Sequence, residues 1–138
     1  MTTARDIMTS GADYLEGSTT VLEAAKKLAA EDYGALPVCE GEKLTGMVTD
    51  RDIVVKVLAA GKDPATTTVI DLTKDQAEVV TIGADDPVEE IARTMSQYQV
   101  RRLPVVDGHK LVGMVAQADL ARSGQDGVTG DTVESISQ

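Results

Sequence analysis

The chain has 138 residues and a formal net charge of −10, a length that fits one domain or two small intertwined halves. So acidic a protein is expected to bind neither nucleic acid nor an anionic membrane surface, because both need clustered cations. There is no Phe and no Trp, so the 42% hydrophobic content has to build an aliphatic and Met core.

The N-terminal segment carries no long apolar run of the secretory kind and includes "RDIM" (Arg5–Met8). Thr19 or Thr20 is placed to cap a helix from Val21, with Glu23 at the capping-box position, and Val21, Leu22, Ala25, Leu28 and Ala29 give it an apolar stripe. A short strand "ALPVC", a turn "EGEK" and a second strand "LTGMV" follow, and then a helix predicted from Asp50 to Ala60, closed by Gly61. A linker spans residues 61–68, and "IDLT" (Ile70–Thr73) weakly echoes "RDIM". Asp86 is then read as the cap of a helix with Pro87 at its first position and Val88, Ile91, Ala92 and Met95 as its stripe. The strand "RLPVV", the turn "DGHK", the strand "LVGMV" and a shorter helix, Gln117 to Arg122, complete the order. Residues 123–138 are polar and rich in Gly and Ser, the composition of a disordered tail. No stretch approaches about 18 apolar residues, so no membrane span is predicted and a cytoplasmic location is expected.

The second half repeats the first. With a shift of 67, Val21, Glu23, Ala25, Leu36, Pro37, Val38, Gly41, Lys43, Leu44, Gly46, Met47, Val48 and Asp52 all recur, 13 identities over the 34 positions from Val21 to Val54. Chance gives about two. Each copy reads as β-α-β-β-α, so the fold class is α/β (α+β) with repeats at residues 1–62 and 63–122. One copy alone is too small to bury its apolar face, and two related by a pseudo-twofold can share it.

Doubled "LPVV"-like strands, acidic-Gly turns and the phrase Gly-apolar-apolar-Thr-x-x-Asp resemble the CBS-domain pair, or Bateman module. "MTTARDIM", "DRDIV" and "YQVRRLPV" are most similar to the small stand-alone actinobacterial members, hypoxic-response proteins among them. The resemblance implies tandem repeats packed through their strands, homodimerisation, and clefts that take adenosine-containing ligands. The regulatory ligand would be AMP, ADP, ATP or NAD, with no required cofactor.

Thr49 stands where a strand meets a helix. Unpaired N–H groups and the helix dipole favour phosphate there, and its hydroxyl adds a donor. Asp52, one turn in, has the lone pairs to accept from both hydroxyls of a ribose. The same two residues also form a near capping box that needs no ligand, and both roles can coexist. The resemblance implies that the other repeat completes the cleft, joining Met47, Thr49 and Asp52 to Val79, Val80, Val100, Arg101 and Arg102. The valines and Met47 suit a purine, and the arginines suit phosphate. The second cleft would combine Met114, Ala116 and Asp119 with Asp13, Tyr14, Tyr33 and Gly34. It lacks the hydroxyl and is expected to hold two carboxylates with no cation, which disfavours an anionic ligand.

Other signals point to no chemistry. Cys39 reads as a small core residue and excludes an intramolecular disulfide. His109, the only histidine, falls in an exposed turn, so no metal site is expected. No nucleophile–base pair is visible, so the chain is not expected to be an enzyme. Two readings follow: a regulatory module sensing an adenine nucleotide and acting on a separate effector protein, or a dimeric interaction or stress-response scaffold that binds none.

Overall fold

The computed structural model describes residues 1–11, 13–31, 34–76 and 78–123. The tail from residue 124 and Tyr33 therefore lie outside the described residues. The chain divides into two compact units, Asp13–Val79 and Met1–Ala12 with the chain from Val80 onward. This division differs from that of the repeats. The first twelve residues join the second repeat, and the segment leading into the second repeat stays with the first.

In the unit Asp13–Val79, β2 (Leu15–Glu16) pairs in parallel with β3 (Ala35–Glu40), and β3 pairs antiparallel with β4 (Lys43–Thr49). Helix α2 (Val21–Glu31) crosses between β2 and β3. Its start is capped by Thr20, whose Oγ1 accepts the Glu23 N–H at 3.2 Å. Gly41 opens the two-residue hairpin loop at φ +65°, which a side chain would strain. After β4 the chain forms α3 (Asp50–Ile53) and then a wider turn, Val54–Leu58, in which the Ala59 N–H bonds to Val54 O, five residues back. The predicted single helix from Asp50 is thus helical throughout but widens halfway, and Gly61 closes it at φ +75°. Helix α4 (Val69–Thr73) returns to pack on the hairpin. Leu15, Val21, Leu28, Leu36, Val38, Val48, Ile53, Val57, Val69 and Leu72 form the core. Each large side chain contributes about 1.5–3 kcal/mol through burial.

The other unit repeats this plan with β5 (Ile82–Gly83), α5 (Val88–Tyr98), β6 (Arg102–Asp107), β7 (Lys110–Ala116) and α6 (Gln117–Arg122). Its short helix, α1 (Ala4–Ile7), comes from the N-terminus and is followed by β1 (Thr9–Ser10), which pairs with β7. Ala4, Ile82, Val88, Ile91, Met95, Leu103, Val105, Val115 and Leu120 form its core. One expected cap is corrected: the Asp86 carboxylate accepts the Gly83 N–H at 2.8 Å and so closes the turn before the helix, leaving Pro87 as the residue that precedes α5.

The short helices act as straps, tied down in the same way in both units. The Ala4 and Arg5 N–H groups bond to Asp86 O and Ala84 O, and the Val69 and Ile70 N–H groups bond to Thr19 O and Gly17 O. The weak "RDIM"/"IDLT" echo marks these straps.

Candidate functional site

Thr49 is the last residue of β4, extended at φ −112°, ψ 161°, and caps α3. Its Oγ1 accepts the Asp52 N–H at 3.0 Å, and the Asp52 Oδ2 accepts the Thr49 N–H at 3.0 Å. The capping box is therefore closed. The other carboxylate oxygen, Oδ1, lies 3.4 Å from the Lys56 ammonium, one helical turn on. The Asp50 N–H is already bonded to Gly34 O at 3.2 Å. What the junction offers a ligand is thus one hydroxyl and one partly exposed carboxylate of fixed orientation. Met47, two residues earlier, is half-buried, as is Val79.

In the other unit Val80 and Val100 pack against the core, and Arg101 and Arg102 are exposed where β6 begins. Gln99 ends α5 in the left-handed conformation at φ +57°, where a glycine is usual. That turn directs the chain into Val100–Arg102, and nothing in the local pattern announced it. The Arg101 carbonyl accepts the Gln117 N–H at 2.8 Å, the counterpart of the Asp50–Gly34 bond. Each side of the predicted first site is thus placed within its own unit.

The second predicted site has the same junction without the hydroxyl. The Ala116 N–H bonds to Asp119 Oδ2 at 2.7 Å, and Asp119 is buried. Met114 is half-buried in β7. The expectation of two carboxylates without a cation is corrected. Asp119 is ion-paired with Arg122, and Asp13 Oδ1 lies 3.7 Å from the Lys27 ammonium. Helical spacing brings Arg122 to Asp119, whereas Lys27 on α2 meets Asp13, which lies before β2, and the sequence reading had paired neither. Gly34 is exposed, as is Tyr14.

Cys39 is buried in β3, and burial pushes its thiol up to about 11, so it is protonated at neutral pH. His109 is exposed in the β6–β7 turn. Among the described residues no helix is long and apolar enough to cross a membrane.

Two β-α-β-β-α units, each with a strand-to-helix capping junction ending in aspartate, define a tandem-repeat module. The CBS domain family matches residues 4–59 and 69–126, and the chain belongs to that family. Hypoxic response protein 1 of Mycobacterium tuberculosis is 46% identical over 123 residues, 88% of this chain and 85% of that protein. Among solved structures, Hypoxic Response Protein I with two coordinated zinc ions has a TM-score of 0.79 at 45% identity, covering 89% of this chain and 99% of that one. CBSX2 in complex with AMP has a TM-score of 0.76 at 26% identity, covering 91% and 98%. The CBS domain pair of MJ0100, in complex with 5′-methylthioadenosine and S-adenosyl-L-methionine, has a TM-score of 0.71 at 32% identity, covering 89% and 99%. With regard to zinc, no group of three or more His, Cys, Asp or Glu side chains stands together among the described residues of this chain.

Proposed function

We propose that this chain is a regulatory ligand-sensing module that takes an adenine nucleotide of the AMP, ADP, ATP or NAD class. Met47, Thr49, Asp52 and Val79 would come from one unit, and Val80, Val100, Arg101 and Arg102 from the other. The observation that carries this reading is the Thr49–Asp52 junction. Its hydroxyl and carboxylate are held rigidly, with one carboxylate oxygen turned toward a cation that a ribose hydroxyl can supplement. The AMP and S-adenosylmethionine complexes of similar CBS proteins support the ligand class. The CBS fold favours regulation over catalysis, with the output passed to a separate effector protein.

A second reading, a homodimeric interaction or stress-response scaffold that binds no nucleotide, has two observations in its favour. The capping box satisfies Thr49 and Asp52 without a ligand. The wide turn after α3 also exposes Val54, Val55 and Leu58 at 54%, 49% and 55%, an apolar face suited to a second copy. Thermal unfolding with AMP, ADP, ATP, NAD and S-adenosylmethionine separates the two. A nucleotide at 100 times its Kd stabilises by about 2.7 kcal/mol, a shift of several degrees. Asp52→Ala and Arg102→Ala should each reduce that shift. No shift at millimolar concentrations leaves only the scaffold reading, and sedimentation of the full chain reports the dimer.

A further inference from the structure

The two units meet one backbone requirement by different means. Pro37 stands opposite Met47 in the β3–β4 ladder. A proline has no N–H to give, so the N–H and C=O of Met47 face the other side of β4. Pro104 and Met114 repeat the arrangement, and there β1 supplies the partner, with Thr9 opposite Met114. In the unit Asp13–Val79 a side chain takes the place of that strand. The Met47 N–H donates to Gln76 Oε1 at 3.3 Å, and Gln76 Nε2 donates to Met47 O at 2.8 Å. Both ends of the amide are used, which fixes its orientation. The strap lies close beneath this clip: a Cβ on Gly46 would sit 2.6 Å from Thr73 Cβ and 3.0 Å from Gln76 Oε1.

We infer that Gln76 is a positioning residue for the nucleotide site, an inference that rests on the function proposed above. Its amide holds Met47 in register with the strap. Met47 lies two residues before Thr49 in β4. The clip thus fixes an apolar contact beside the phosphate- and ribose-binding junction. Unlike the β1–β7 ladder, it depends on one rotatable side chain. Beside it lies a cavity of about 320 Å³, lined by Lys56, Lys62, Asp71, Leu72, Asp75 and Gln76 itself, a polar space into which the amide can swing. Opening the clip is therefore a local event. A ligand resting on Met47 favours the closed form and shifts the population toward it.

Gln76→Glu and Gln76→Ala test this. At pH 7 an ionised glutamate cannot donate to Met47 O. Once protonated it offers one O–H donor and one carbonyl acceptor, the two bonds the clip uses. The expected result at pH 7 is a fall of about tenfold in Met47 amide protection and in AMP affinity for both variants, with Met114 protection unchanged. As pH falls from 7 to 4.5, Gln76→Glu should recover toward the wild type measured in parallel, while Gln76→Ala does not. Wild-type AMP affinity in both variants at pH 7 would overturn the inference alone. A wild type that binds none of the nucleotides would overturn the proposed function and the positioning role with it, and Met47 exchange would then show only whether the clip exists.

Discussion

The helix caps at the strand-to-helix junctions of the two units differ by one hydroxyl, Thr49 against Ala116, and the function proposed above rests on that difference. Asp52 and Asp119 both accept the N–H of the residue three before them, at 3.0 and 2.7 Å, and both are paired with a cation on the same helix. An aspartate at this point is thus explained by helix capping in either unit. Thr49, whose counterpart is Ala116, is what marks one junction out. The repeated aspartate is therefore no sign of a ligand by itself, and the unrepeated threonine is the feature that sets the proposed site apart.

The largest effect should come from breaking the close approach of each strap. A Cβ at Gly113 would lie 2.6 Å from Met8 Sδ and 2.7 Å from Thr9 O, and one at Gly46 2.6 Å from Thr73 Cβ. In both cases backbone or a buried residue must move, so Gly113→Ala and Gly46→Ala are each expected to destabilise by about 1–3 kcal/mol. Gly34→Ala is the control: nothing lies within 4 Å of its Cβ position, and its effect should stay within about 0.5 kcal/mol. Urea midpoints measure all three, and equal midpoints would show that the straps are not packed as described.

Exchanging the hydroxyl should have a smaller effect. Thr49→Ala removes the acceptor for the Asp52 N–H and is expected to cost about 1 kcal/mol. Ala116→Thr supplies the missing cap and should return a similar amount to the other unit. The double variant should therefore unfold near the wild-type midpoint yet bind nucleotide worse. Stability can be moved to the second junction in this way, but Gly34 and Ala35 stand where the first site has Arg101 and Arg102. Nucleotide binding restored in the double variant would contradict the assignment of the arginines.

Much of this asymmetry was legible in the sequence. The 67-residue shift exposed the repeat, Gly41 and Gly108 marked the hairpins, and Thr49–Asp52 read as a cap with a second use. Other features were not legible. The straps echo each other in sequence, but an echo does not say which repeat each one packs on, because that depends on tertiary hydrogen bonds such as Ala4 N–H to Asp86 O. Gln76 reaches a backbone 29 residues away, a pairing with no local period. The cations paired with Asp13 and Asp119 were not anticipated: helical geometry brings Arg122 onto Asp119, but the Asp13–Lys27 pair depends on tertiary placement.

The smallest effect is electrostatic, and it tests whether the two straps are equivalent. Asp6 Oδ2 accepts the N–H and hydroxyl of Thr3 at 2.9 and 3.1 Å, and Asp71 Oδ2 accepts those of Thr68, both at 3.0 Å. These bonds, the backbone ones foremost, hold both carboxyls below the usual aspartate value. A carboxyl lowered on folding contributes stability that is complete above its unfolded pKa of about 3.9 and is lost as pH falls through its folded value. Asp6→Asn and Asp71→Asn should therefore lower stability slightly at neutral pH, and the difference from wild type should vanish in acid. Since the two aspartates sit in separate units and share no partner, the double variant should show the sum of the two effects. Stability followed from pH 6 to pH 2 by urea unfolding measures this. A wild-type acid limb in the double variant would mean that the straps are not closed by their carboxylates.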